Sequence, residues 1–183
     1  MSILAESSAT VIPAGTWSID PVWSTLEFEV RKIGLFPIKG RVPGFTGSIE
    51  GGSSPSIEGT VDVTSITTFD ETRDGHLQSP DFFDAERYPE LRFESTAVDV
   101  VDDELVVTGN LTIKGTTKPV ELRGAFLGAG ADPYGNDRIG LQLETTVDRT
   151  DFGLNWNAPL PGGGFLLPND VVLRATFAAV REA

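Results

Sequence analysis

Residues Asp70–Phe93 read DETRDGHLQSPDFFDAERYPELRF, one compact irregular insert in a chain whose flanks alternate apolar and polar side chains. Gly75 and Pro80 cut any long helical run within it, and Tyr88–Pro89 ends it, since the residue before proline is driven out of helical geometry. The adjacent rings of Phe82 and Phe83 need apolar surroundings. The open end of a β-barrel offers them. The expectation is a β-fold interrupted once, around residues 70–87, by short helical turns.

Outward from the insert, the pattern is that of half-buried strands. Upstream, Leu26, Phe28 and Val30 alternate with Glu27, Glu29 and Arg31, Phe45 and Ile49 continue around Gly47, and Ile57, Val61 and Val63 oppose Glu58, Thr60 and Asp62. Downstream, Leu91 and Phe93 oppose Arg92 and Glu94, and Leu105, Val107, Leu111 and Ile113 share one parity. Three further runs follow, around Val120–Leu122–Phe126, Ile139–Leu141–Leu143 and Val171–Leu173–Phe177. Asp102–Asp103, Gly115–Thr117 and Tyr134–Asp137 punctuate them as turns or loops. The links between these roughly eight strands are too short for parallel crossovers, so the sheet is antiparallel. Closing such a sheet on itself removes its edges, and eight strands leave an interior that side chains fill or that holds one slim ligand. Inward positions include the small residues Gly47, Gly59, Gly109, Gly124 and Ala175, which serve curvature or leave room for a ligand.

Residues 1–15 read as a mobile tail and residues 16–183 as one barrel domain. The 14 Lys and Arg residues against 27 Asp and Glu give a net charge of −13, and no basic run exceeds Arg31–Lys32. A chain this acidic is repelled by phosphate backbones and, through bulk charge, by anionic membrane surfaces, so neither nucleic acid nor a charged bilayer is an expected partner. The absence of cysteine excludes disulfides and thiolate chemistry. The N-terminus lacks the basic and apolar regions of a signal peptide, and no apolar run reaches the roughly 18 residues of a transmembrane helix. The expected location is cytoplasmic, or periplasmic or secreted if a leader has been removed, with no stable membrane insertion.

A set of short motifs adds to this reading. They are Trp17-Ser18-Ile19-Asp20 with Ser24, Phe45-Thr46-Gly47-Ser48-Ile49, Asp74-Gly75-His76-Leu77 with Ser79-Pro80-Asp81-Phe82-Phe83-Asp84, and Tyr88-Pro89 before Phe93-Glu94-Ser95. Gly109-Asn110-Leu111-Thr112-Ile113-Lys114-Gly115 and Arg149-Thr150-Asp151-Phe152-Gly153-Leu154 complete the series. In order and spacing, from about Thr16 to Phe177, the chain resembles the YceI-like polyisoprenoid-binding proteins. That resemblance implies an all-β, extended eight-stranded antiparallel lipocalin-like barrel. It also implies an elongated apolar channel around a long isoprenoid lipid or quinone, often in a homodimer. Relatives often carry histidine where this chain has Trp23 and near Arg31-Lys32, so a headgroup contact from those positions is missing here.

Strand parity and loop position nominate Phe28, Val30, Ile49, Val61, Phe82, Phe83, Phe93, Leu111, Leu122, Leu141, Phe152 and Trp156 as wall or gate residues of the channel. His76, the single histidine, either fastens the insert by hydrogen bonds or meets a ligand headgroup; a general-base role would need a nucleophile that the sequence does not supply. Arg149 is a second headgroup candidate, and Arg73 and Arg174 are further cations that more often pair with carboxylates. Asp148-Arg149-Thr150-Asp151 reads as a local structural cluster. Trp156, ahead of Gly162–Gly164, caps the barrel end or gates it. No metal site and no cofactor are expected, and the bound isoprenoid is the ligand. The leading function is non-enzymatic lipid binding; the alternatives are an enzyme acting on a small apolar or isoprenoid substrate through His76, and a filled barrel that serves as an interaction module.

Overall fold

The computed structural model of the protein describes residues 12–183. Its strands are β1 (Gly15–Ile19), β2 (Thr25–Lys32), β3 (Phe36–Arg41), β4 (Phe45–Gly51), β5 (Ser56–Asp62), β6 (Glu90–Val101), β7 (Glu104–Ile113), β8 (Thr116–Ala131), β9 (Asp137–Asp148) and β10 (Asp170–Arg181), with helix α1 at Glu71–Gln78. Eight of them close a ring in the order β1-β4-β5-β6-β7-β8-β9-β10, and the β1–β10 pair seals it. All pairings are antiparallel, as the short links demand. The fold is the expected closed lipocalin-like barrel.

One edge of β10 is shared by two strands: β1 takes Ala179–Arg181 and β2 takes Val172–Thr176. The break between them falls at Asp20–Ser24, where Pro21 has no N–H to continue a ladder. Ser24 Oγ repairs the gap by accepting from Ala178 N–H at 2.9 Å. Strand β3, which the alternation alone does not reveal, pairs with β2 and ends the sheet. Pro37 and Gly40 disguise it in sequence, and an edge is where a strand tolerates proline. Left-handed backbone turns the hairpins, in a three-residue loop at Ile33–Gly34–Leu35 (φ 47° and 71° at the first two) and in two-residue turns at Asp102–Asp103 (51° and 66°) and Lys114–Gly115 (51° and 77°). The last lies one residue earlier than expected, and Thr116 already belongs to β8.

The insert fills the seam between β3 and β5. Arg41 and Thr67 form a two-way backbone bridge of 2.8 and 2.9 Å, and Val63 N–H donates to Pro89 O at 2.9 Å. Helix α1 buries none of its own residues, so caps and side-chain bonds hold it. Asp70 accepts from Arg73 N–H at its start, a standard N-cap worth about 1 kcal/mol. The carboxylate of Asp74 accepts from Thr67 Oγ1, Thr68 N and Thr68 Oγ1 at 2.7, 2.7 and 2.6 Å.

The apolar interior is packed at its ends and hollow between them. One end is solid with Ile12, Trp17, Ile49, Leu105, Val107 and Leu141. Toward the other end Phe82, Ile113, Val147, Phe152 and Leu154 cluster under the insert and the 149–168 segment. The expected tail therefore stops short of residue 12 at its C-terminal side: Ile12 is buried, Trp17 Nε1 donates to Pro13 O at 2.9 Å, and Gly15 opens β1. The remainder of that tail lies outside the described residues.

Candidate functional site

Between the two packed ends runs a cavity of about 370 Å³, within the range of roughly 300–1,000 Å³ found for small-molecule sites. Its wall is the inward face of the barrel, and the solvent-facing partners along β6 alternate with it. Inward residues such as Val61, Phe93, Leu111 and Leu122 are only half-buried, although they point away from the surface. A filled core would bury them fully. The lumen is real space.

Several large side chains stay against the wall because glycine sits opposite them. Phe28 pairs with Gly40 across the β2–β3 ladder, and a Cβ on Gly40 would collide with its ring. A Cβ on Gly109 would fall 2.6 Å from Phe93 Cζ, so that ring too lies over bare backbone. These glycines act as seats for rings. At Gly109, one of the small inward positions in the sequence, the space is taken by the Phe93 ring and the Glu94 carbonyl.

Polar groups that border the lumen at the insert end include Arg73, His76 and Arg149. His76 Nε2 lies 2.9 Å from Asp81 Oδ2, and its ring stands edge-on to Trp156 and Phe82 at centroid distances of 4.7 and 5.0 Å. Trp156 and Phe82 are 5.4 Å apart, which completes an aromatic trio over the cavity. Arg73 is committed to Thr68, donating from Nε to Oγ1 and from Nη2 to the carbonyl, each at 2.7 Å.

Arg149 is buried and donates to three carbonyls: Pro168 from Nε at 2.8 Å, and Leu154 and Trp156 from Nη1 at 2.6 and 2.9 Å. Burial draws its pKa below the usual guanidinium value, against a smaller opposing pull from the Asp148 charge. The residue borders the cavity, but most of its donor capacity knots the 149–168 segment. Asp148 caps the same segment by accepting from Thr150 N and Oγ1 at 2.9 and 2.6 Å, so the motif is local, but Arg149 bonds carbonyls in place of the carboxylate pair that its spacing implied. Asn157 ties the base of the loop through Leu167 and Ala158. The Trp156 carbonyl is held by Arg149, and the residue borders the cavity.

Of the nominated wall residues, Phe28, Val30, Val61, Phe82, Phe83, Phe93, Leu111, Leu122, Phe152 and Trp156 border the cavity, as do His76 and Arg149. Ile49 and Leu141 do not. Both are fully buried in the solid end with Trp17. Parity reports which face a side chain takes and not how far along the barrel it lies. Parity could also have supplied Leu91, Leu143, Val171 and Leu173, which share faces with nominated positions and line the lumen. Lys32 shares the parity of Phe28 and Val30 but its charge set it apart, and Ile38, on the strand hidden by Pro37, had no such signal. Trp23 is outside the lumen, stacked under the Arg138 guanidinium at 3.8 Å. Arg174 is exposed and pairs with Glu144 at 3.2 Å. Among the described residues no three His, Cys, Asp or Glu side chains converge as a metal site would require.

A closed antiparallel barrel with an apolar lumen and one short helix at its end is a lipocalin-like fold. Residues 17–179 match the YceI-like domain, and the chain belongs to that family. A UPF0312 protein of Pectobacterium atrosepticum is 31% identical over 158 residues, covering 84% of this chain and 82% of its own. Another from Vibrio parahaemolyticus is 36% identical over 157 residues, covering 80% and 83%. Among solved structures, Burkholderia cenocepacia BcnA superposes with a TM-score of 0.74 at 20% identity, covering 87% of this chain and 98% of that one. A polyisoprenoid binding domain from Saccharophagus degradans gives a TM-score of 0.67 at 16% identity, covering 91% and 98%. At those identities the likeness is one of fold.

Proposed function

We propose that the protein binds a long isoprenoid lipid, a polyprenyl chain or an isoprenoid quinone, in the barrel lumen, and shields it for storage or transfer without chemical change. The observation that carries this reading is the continuous apolar cavity whose inward side chains remain half-exposed. Each methylene moved from water into it contributes about 0.8 kcal/mol, so several isoprene units outweigh the cost of ordering the chain. The name of the Saccharophagus degradans domain, polyisoprenoid binding, supports the same ligand class. The polar end of the ligand belongs beside His76 and Arg149, which both border the lumen. The His76–Asp81 pair has no hydroxyl nucleophile: Ser79 Oγ donates to the carbonyl of His76 at 2.6 Å. That arrangement supports a reading of binding without chemistry.

Native mass spectrometry of the purified protein with organic extraction tests this. A stoichiometric isoprenoid is expected in the wild type and a marked loss in Leu111→Trp and Leu122→Trp, whose indoles fill the lumen. A protein that stays empty after exposure to quinones and polyprenyl phosphates would overturn the proposal.

A further inference from the structure

The net charge of −13 hides an uneven distribution. From Val30 to Ile49 the chain carries Arg31, Lys32, Lys39 and Arg41 and no acidic residue; from Phe152 to Asn169 it carries no charge of either sign. The fold brings these two segments together. Ile33 N–H, in the β2–β3 turn, donates to Leu166 O at 2.9 Å. Around that contact four large apolar side chains face solvent: Ile33 at 41%, Leu35 at 65%, Phe36 at 60% and Phe165 at 63% exposure. In the ladder Arg31 stands opposite Pro37 and Lys32 opposite Phe36, whereas Lys39 faces Glu29. Among the described residues neither Arg31 nor Lys32 has a carboxylate within ion-pair distance. Lys32, Ile38 and Leu166 border the lumen, so the tip adjoins the cavity.

We infer that this tip docks the barrel on an anionic phospholipid bilayer, with Ile33, Leu35, Phe36 and Phe165 entering the headgroup region and Arg31 and Lys32 meeting its phosphates. The overall acidity does not forbid this. Charges are screened over about 8 Å at physiological ionic strength, whereas twelve-residue β9 extends about 40 Å, so acids toward the solid end are hidden from a surface at the tip. Apolar anchors combined with adjacent cations are the combination that holds proteins at a bilayer interface. A second copy of the chain fits less well, because a two-fold contact would bring each tip's cations against the other's. Loading of cargo through this face rests on the lipid-binding reading above; docking itself does not.

Flotation of the purified protein with phosphatidylglycerol–phosphatidylcholine vesicles, free of isoprenoid, tests the docking. The wild type is expected to float with these vesicles, less so as salt rises, and not with phosphatidylcholine alone. Arg31→Gln with Lys32→Gln should weaken partitioning about thirtyfold, at about 1 kcal/mol per basic residue near an anionic surface. Leu35→Ser with Phe36→Ser should abolish it, and Val22→Ser, on the Asp20–Ser24 turn away from the tip, should leave it unchanged. Circular dichroism melting confirms that the tip variants fold. Equal binding to both vesicle types, insensitivity to the tip variants, or tip-dependent self-association in sedimentation would each overturn the inference. Extraction of the same samples keeps the two readings apart: isoprenoid retained without docking sinks the docking alone, and docking of a persistently empty barrel sinks the cargo alone.

Discussion

Arg149 illustrates what a buried cation does when carbonyls surround it. Its sequence neighbours pointed to a surface pair or a headgroup contact, and neither shows that Leu154, Trp156 and Pro168 turn their carbonyls inward around it. Arg149→Leu leaves three acceptors short, each costing about 1 kcal/mol or more, so a loss of about 3 kcal/mol is expected in urea unfolding. Arg149→Lys should recover only part, since an ammonium cannot reproduce the planar fork of donors. An unchanged midpoint in the leucine variant would show that the knot is dispensable. His76 carries a matching lesson. Four carboxylates, Asp70, Glu71, Asp74 and Asp81, lie near it in sequence, and only the fold selects Asp81 and brings in the Trp156 edge from a distant segment.

The insert was the most legible element, because the strand period stops at Asp70 and resumes at Leu91. How it is fastened was less so. Burial alone would raise the pKa of Asp74, but the hydrogen bonds from Thr68 and Thr67 outweigh it and hold the carboxyl below the ordinary range. Asp74→Ala should destabilise the fold by about 2 kcal/mol, the worth of hydrogen bonds to a charged acceptor, and raise hydrogen exchange within α1 before the barrel strands. Uniform exchange across the molecule would argue against a separately fastened lid. At the glycine seats, Gly109→Val brings new methyls against Phe93 and the Glu94 carbonyl, the latter a backbone group that cannot swing aside. An overpacking cost of about 1–3 kcal/mol is expected by thermal denaturation, with less isoprenoid recovered on extraction. Strand β3 escaped notice because Pro37 and Gly40 break the alternation on which strand detection depends.

At the scale of the molecule, four carboxylates are held below the usual range. For Asp20 and Asp132 the main cause is hydrogen bonding from Arg138, and for Asp148 it is the Thr150 hydroxyl; Asp74 is the fourth. Because their folded pKa values lie below the unfolded value of about 3.9, the stability they contribute is fully present above it. It is lost as pH falls through the lower folded values. Melting temperature should therefore hold steady from neutrality to about pH 5 and decline below about pH 4. A decline already under way near pH 6 would contradict this assignment.

By itself the sequence determined the barrel. Two-residue periodicity, short links and edge avoidance leave an antiparallel sheet little choice but to close, and none of these depends on distant contacts. Ten of the twelve wall residues it nominated do line the lumen, because parity fixes the face of each side chain. Depth along the barrel was decided only in three dimensions, where Ile12 and Trp17 plug one end and bury Ile49 and Leu141 with them. So was the meeting of the β2–β3 tip with the uncharged 152–169 loop. Residues more than a hundred positions apart become neighbours only when the ring closes, and no local pattern encodes that distance.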